Sequence, residues 1–383
     1  MKTINLHIYP TNIKLENRIL KETLSIAKLN LFDSIVIVGI KEAGDKERDQ
    51  LDDIREIHLI SLKTDALPPG QFWKIFKYLE LFLKILSLFK SENVVAVNCH
   101  SLYILPVGML FKICKKSKII YDAHELETEV AMSRVRKAIS KIVERLLIYH
   151  ADIIIVVNDS IADWYKSHYK LKIVNVIKNY PAKQDAVLKQ SNILKEQFNI
   201  GDNQILYIFQ GMLSELRGVD ILLRVFSQLD TRIHIVFMGS GPMQKLIMRD
   251  AEKYPNIHYK TAVSPGEIVQ YTSSADVGLN ILRNTCLNNY YSLPNKIFEY
   301  IISGLPVIVS DFPEMGKIVD DNNIGWKVPV DEASIINLIK SISKHDIAEK
   351  RWNALKCRGK FIWDTEDKVL SAVYTQYFRQ YLS

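Results

Sequence analysis

The stretch SLPNKIFEYIISGLPVIVS, residues 292–310, decides how this chain is read. It predicts a loop running into a short helix, a glycine stop, and then a buried strand. Pro294 presets φ for a first helical position, and Gly304 with Pro306 behind it ends the helix. Ile297, Phe298, Ile301 and Ile302 share one side and predict packing against a sheet. Asn295, Lys296, Glu299 and Ser303 share the other side. That leaves a lysine at the positive end of the helix and a carboxylate one turn deeper. Free N–H groups and the macrodipole favour an anion such as a diphosphate at the lysine. A carboxylate about 5.4 Å further along reaches both hydroxyls of a ribose. A solvated helix face carrying an ordinary Lys/Glu pair fits the same residues.

Working outward, strands and helices alternate along the whole chain. Strand-like runs fall at 4–9, 34–39, 56–60, 94–98, 118–122, 152–157 and 174–177 in the first half. Helical runs lie between them at 16–29, 71–90, 103–115, 132–149 and 159–169. The second half repeats the pattern, with strands at 204–210, 233–239, 256–260, 276–281, 306–310 and 325–329. Several runs are continuous in Val and Ile, as strands buried on both faces of a parallel sheet require. The pattern predicts an α/β fold of open sheets with ligands at the carboxyl ends of the strands. Residues 181–203 are polar and lack a buried strand, so they read as a linker. The expected organisation is two Rossmann-like domains, 1–182 and 183–365, with parallel sheets facing across a cleft. The last helix, 366–383, comes late enough to cross back onto the first domain.

At 383 residues the chain is long enough for two domains of ordinary size. Its formal charge is +7. Residues 1–185 hold 28 Lys/Arg against 22 Asp/Glu, and the remainder 22 against 21, so the basic surplus lies in the first half. A mildly basic soluble domain and one that meets an anionic membrane surface both fit. Helix 71–90 mixes Trp, Phe and Leu with Lys74, Lys77, Lys84 and Lys90, and residues 133–149 carry Arg134, Arg136, Lys137, Lys141 and Arg145. Such helices lie on a bilayer or pack on a core with a lysine face outward. No recognition helix, zinc pattern or aromatic RNA-binding signature accompanies the charge, which argues against nucleic acid. Cys99, Cys114, Cys286 and Cys357 are scattered, as reduced thiols of a cytoplasmic protein would be. The first residues read as a strand and not as a signal peptide. No run approaches the ~18 apolar residues of a membrane span. No strand ends in Asp-x-Asp, so a dedicated Mg²⁺ site is not indicated; the expectation is a metal-independent protein with no cofactor.

Three further constellations sit at strand ends. Gln210-Gly211-Met212 precedes Arg217-Gly218, where glycine admits a close ligand and arginine grips phosphate; a plain strand–turn–helix bearing a surface arginine fits too. Gly239-Ser240-Gly241 has Gln244 where a dinucleotide fingerprint needs glycine, so a tight turn is the better reading. Tyr121-Asp122-Ala123-His124-Glu125 puts titratable groups at a strand's carboxyl end. There His124 can touch a sugar, with Asp122 or Glu125 orienting it, or serve simply as a satisfied loop histidine.

In order and spacing, YDAHE, QGMLSELRG, VFMGSGP, SADVGLNI and LPNKIFEYIISGLPVIVSD resemble the family-4 retaining glycosyltransferases of the GT-B fold. The resemblance runs from about residue 95 to 330 and is strongest after 204. It implies transfer of a sugar from a nucleotide diphosphate donor (UDP, GDP or dTDP type) with its anomeric configuration kept. By position, His124, Arg217 and Lys296 would serve catalysis. Gly211, Arg217, Gly239, Val263, Asn295, Lys296 and Glu299 would hold the donor nucleotide. Asn17, Asp122, Glu125, Tyr291, Ser292 and Leu293 would lie near the donor sugar or acceptor. Three departures stand out. Tyr291 replaces a second glutamate, Met212 replaces an arginine, and TNIKLENR replaces a glycine-rich loop. The expectation is a cytoplasmic enzyme, peripheral on the inner face of the membrane, acting on a lipid-linked or saccharide acceptor in cell-surface glycan synthesis. A nucleotide-sugar epimerase and a weakly catalytic nucleotide-sugar-binding subunit are the alternatives.

Overall fold

The computed structural model describes residues 2–13, 16–66, 68, 70–182 and 190–382. The chain forms two compact units, Met1–Asn179 with Glu366–Ser383, and Tyr180–Thr365. Each is a mainly parallel sheet flanked by helices.

In the first unit the strands are β1 (Thr3–Ile8), β2 (Ser34–Ile40), β3 (Arg48–Gln50), β4 (Arg55–Ile60), β5 (Asn93–Cys99), β6 (Lys118–Ala123), β7 (Ile153–Val156) and β8 (Asn175–Val176). Their order across the sheet is β3-β4-β2-β1-β5-β6-β7-β8. Apolar runs such as SIVIVGI form the buried middle, where each side chain meets a helix layer. The sequence reading misses β3, which pairs antiparallel with β4 at the edge. Its residues are polar and mostly exposed, so no hydrophobic period marks it. From residue 366 the final helix, Trp363–Leu382, belongs to this unit. It buries Leu370, Tyr374 and Phe378 at four-residue spacing, and Phe378 meets Phe32 edge-on at 5.1 Å.

The second unit holds β9 (Ile205–Met212), β10 (Ile233–Ser240), β11 (Ile257–Lys260), β12 (Val277–Asn280), β13 (Val307–Ser310) and β14 (Gly325–Val328). Their order is β11-β10-β9-β12-β13-β14. This is the doubly wound order, whose crevice opens where the winding reverses, beside the carboxyl end of β9. The corresponding reversal in the first unit lies between β1 and β5.

Two local readings are corrected here. Pro294 is the residue before the helix (φ −66°, ψ 138°), and the helix proper is Asn295–Ile302. An extended ψ at proline leaves the helix to start one residue later. Part of the expected linker is packed structure: Leu194 and Ile200 are buried in the core of the second unit, and Ile193–Gln197 is helical. Residues 183–189 of that linker lie outside the described residues, as do residues 14 and 15 of TNIKLENR.

No helix among the described residues is long and apolar enough to cross a membrane.

Candidate functional site

The helix Asn295–Ile302 packs Ile297, Phe298 and Ile301 inward, and Phe298 meets Tyr180 edge-on at 4.6 Å. Tyr300 is buried as well, although the sequence reading leaves it unassigned. Its hydroxyl bonds the backbone of β9 and β12, and a Cβ on Gly278 would fall 2.5 Å from its ring. The helix is thus fixed against the sheet, and its other face closes a cavity of about 280 Å³. The walls are Gln210, Gly211, Met238, Gly239, Ser240, Ala262, Val263, Ile268, Lys296 and Glu299.

Backbone dominates one wall of that cavity. Gly211 takes φ +105°, a region unfavourable to other residues. Gly239 runs so close that a Cβ there would sit 1.9 Å from the Gly211 carbonyl oxygen. Two strand ends therefore meet with no side chains between them, leaving main chain open to a ligand.

Lys296 supplies the charge. Its Nζ is sealed from solvent without a hydrogen-bond partner, 3.8 Å from the centre of the Phe209 ring. Burial, with the nearby Arg217 charge adding to it, pulls its pKa down to about 7. A buried ammonium without hydrogen bonds is costly, so an anion entering this cavity would relieve it. One turn deeper, Glu299 accepts a hydrogen bond from Gln210 Nε2 at 2.5 Å, and Thr272 Oγ1 holds the other end of that amide at 2.6 Å. Burial raises the Glu299 pKa, and the Gln210 bond and Lys296 oppose the shift. A carboxylate so oriented can take a pair of hydroxyls.

The structure brings Gly211, Gly239, Val263, Lys296 and Glu299 together at this cavity. Arg217 lies in the turn Glu215–Arg217, half-buried, and reaches the cavity through its field on Lys296. Asn295 is exposed, and Tyr291, Ser292 and Leu293 are half-buried outside the lining. Sequence reasoning left Gln210 and Ser240 without a role at the site and overlooked Met238, Ala262 and Ile268.

The first unit holds a second polar cluster at the carboxyl ends of β1, β5 and β6. Asp122 is fully enclosed; Arg18 donates to its Oδ1 at 2.9 Å and also to the Ile177 carbonyl at 2.8 Å. The guanidinium and the facing histidines hold the Asp122 carboxyl well below its ordinary range despite burial. His100 Nδ1 and His124 Nε2 lie 2.9 and 3.0 Å from its Oδ2. Asp122 therefore orients His124, while Glu125 is exposed. Asn17 is exposed at the helix start, whereas its neighbour Arg18 is buried. Sequence reasoning missed Arg18 as the support of Asp122, and missed His7 and His100. The available signal was polar residues at alternate positions of apolar strands, Asn5 with His7 and Asn98 with His100. The ligand atoms of His100, Asp122 and His124 lie within 4.8 Å of one another, as for a divalent ion. With Arg18 already on that carboxylate, the set fits hydrogen bonding better.

Residues 204–345 match the family description "Glycosyl transferases group 1". The chain is 22% identical to the chitobiosyldiphosphodolichol beta-mannosyltransferase of Kluyveromyces lactis over 312 residues, 72% of this chain and 68% of that protein. Across the three such relatives it spans 56–68% of their length. Sucrose-phosphate synthase from Thermosynechococcus elongatus has a similar structure, with a TM-score of 0.78 at 16% identity, covering 99% and 100% of the two chains. HepE of Anabaena, solved with UDP and glucose, aligns with a TM-score of 0.71 at 12% identity over 98% and 100%. Residues 204–345 thus give the second unit a glycosyl transferases group 1 domain, and the likeness to these solved structures extends the two-unit GT-B fold along the whole chain.

Proposed function

We propose that this transferase moves a sugar, with retention of its anomeric configuration, from a nucleoside diphosphate donor of UDP, GDP or dTDP type to a lipid-linked glycan. The observation that carries the reading is the sealed, unpartnered Lys296 Nζ above the bare backbone of Gly211, with Glu299 one turn deeper. Diphosphate at the lysine and ribose at the carboxylate use every feature of that cavity. Cations held on a leaving diphosphate stabilise the charge that develops as the glycosidic bond breaks, and they need no metal to do so. Lys296 and Arg217 act in that way, while His124 meets the sugar or the acceptor. The relatives named for a dolichol-linked chitobiose favour a lipid-linked acceptor.

Membrane contact belongs to the same reading, and it rests on the first unit's surface. Ile75, Phe76, Leu79 and Leu83 are exposed along Gln71–Leu88. Val135, Ile139, Ile142 and Leu146 form an exposed stripe along Arg134–Leu147. Tyr103 joins the two helices, stacked on Tyr78 at 5.3 Å and bonded to Arg136 Nε at 2.8 Å. Exposed apolar stripes of this kind suit a protein peripheral on the inner face of a cytoplasmic membrane. The lysines are the weaker support. Lys77 is paired with Asp65, Lys84 with Glu80, and Lys137 and Lys141 with Glu129.

The test is turnover on polyprenyl-diphosphate-linked acceptors with a panel of nucleotide sugars, the product's anomeric configuration being read by NMR. Retention and full turnover in EDTA are expected. An inverted product, or loss of turnover that Mg²⁺ or Mn²⁺ restores, would refute the retaining, metal-free mechanism.

A further inference from the structure

Behind His124 a line of buried polar groups runs to the C-terminal helix. The Tyr374 hydroxyl bonds Asn98 Oδ1. Asn98 Nδ2 lies 3.1 Å from His7 Nε2 and 2.5 Å from Asn5 Oδ1. His7 Nδ1 lies 2.9 Å from His100 Nε2, and His100 Nδ1 lies 2.9 Å from Asp122 Oδ2. Tyr374, Asn98, His7, His100 and Asp122 are each no more than 1% exposed.

The proton positions follow from one end. Asp122, gripped by Arg18, is ionised and can only accept. Both ring nitrogens facing its Oδ2 must therefore carry protons, His100 at Nδ1 and His124 at Nε2. Those nitrogens also lie 3.2 Å apart, a contact that a bare His124 Nε2 could accept, but a bare nitrogen 3.0 Å from the ionised Asp122 Oδ2 would set lone pair against lone pair, so both carry protons. Burial keeps His100 and His7 neutral, so each has a single N–H. His100 Nε2 is then bare and accepts from His7 Nδ1. His7 Nε2 is bare in turn and accepts from the Asn98 amide, whose carbonyl accepts from Tyr374. Every link points the same way, with no donor facing donor along the line.

We propose that His7 and His100 are positioning residues. Through Asp122 they hold His124 as the Nε2–H tautomer, with Nδ1 turned out as a pure hydrogen-bond acceptor for a sugar hydroxyl. No hydrogen bond reaches His124 Nδ1 among the described residues, and its ring lies on Tyr9 at 5.4 Å. The sugar partner rests on the function proposed above; the tautomer does not. A divalent ion at His100, Asp122 and His124 would demand the opposite polarity, with His100 Nδ1 and His124 Nε2 bare.

Nitrogen-15 histidine spectra of the full chain, assigned with single His→Gln variants, test this. The expected pattern is Nδ1–H for His7 and His100 and Nε2–H for His124, unmoved by added Zn²⁺. Any other pattern, or a Zn²⁺-induced inversion of it, overturns the line of bonds whatever the activity. His100→Leu should let His124 populate both tautomers and lower kcat by about tenfold or more, with the donor KM within about twofold. His100→Gln can donate to Asp122 and accept from His7, and should restore most of kcat. A folded His100→Leu with wild-type kcat would overturn the positioning role. Full turnover in His124→Ala would instead remove the sugar contact and leave the tautomer pattern standing. Because the wild-type spectrum needs no substitution, misfolding of a variant does not prevent the test.

Discussion

At the scale of single residues, Lys296 and Glu299 make opposite demands on pH and charge. With Lys296 titrating near 7 in the free protein, a bound diphosphate raises that value by supplying the missing counter-charge. Affinity for a nucleotide sugar, whose diphosphate does not titrate in this range, should be constant below pH 7. Above pH 7 it should fall by up to about tenfold per pH unit, because each binding event must then take up a proton. Calorimetry in buffers of different ionisation enthalpy reads that proton directly. In Lys296→Met the affinity should be low and the uptake absent; undiminished uptake would assign the proton to another group. Glu299→Gln should weaken binding by roughly 10- to 100-fold, the range for a hydrogen bond to a charged group. The two residues were legible in the sequence because helical spacing puts them on one face. Their supports were not: Gln210, Phe209 and Thr272 come from other elements, and only the fold brings them to that face.

At the scale of elements, the parallel strands were readable because burial on both faces writes unbroken Val/Ile runs. The exception, β3, is short, polar and at an edge, and carries no such signal. The meeting of β9 and β10 makes a sharp prediction. Gly239→Ala would drive a methyl into the Gly211 carbonyl and splay the two strand ends. Donor binding should fall at least tenfold while the core beneath keeps most of its stability; unaltered binding by calorimetry would show that the two strand ends can part without harm to the site. The amphipathic helix Arg134–Leu147 makes another. Ile139→Glu with Ile142→Glu should abolish flotation with anionic vesicles, while Lys77→Glu with Lys84→Glu, whose lysines already have partners, should reduce it less. The reverse ranking would return the contact to charge. Sequence alone offered the lysines first, since which of them are paired depends on Asp65, Glu80 and Glu129 lying alongside in the fold.

At the scale of the whole molecule, the chain enters the first unit twice, and its last helix completes that unit's core with Leu370, Tyr374 and Phe378. Removing residues 366–383 should therefore lower the melting of the first unit and spare nucleotide binding by the second. One transition lost alongside retained binding is the expected scan; loss of binding with the helix would contradict two separable units. The central claim concerns the second unit, and calorimetric titration with UDP, GDP, dTDP, CMP and ADP tests it most directly. The account predicts that one nucleoside diphosphate binds at a single site and that Glu299→Gln loses most of that affinity. Binding by none of them, or binding indifferent to Glu299, would contradict it.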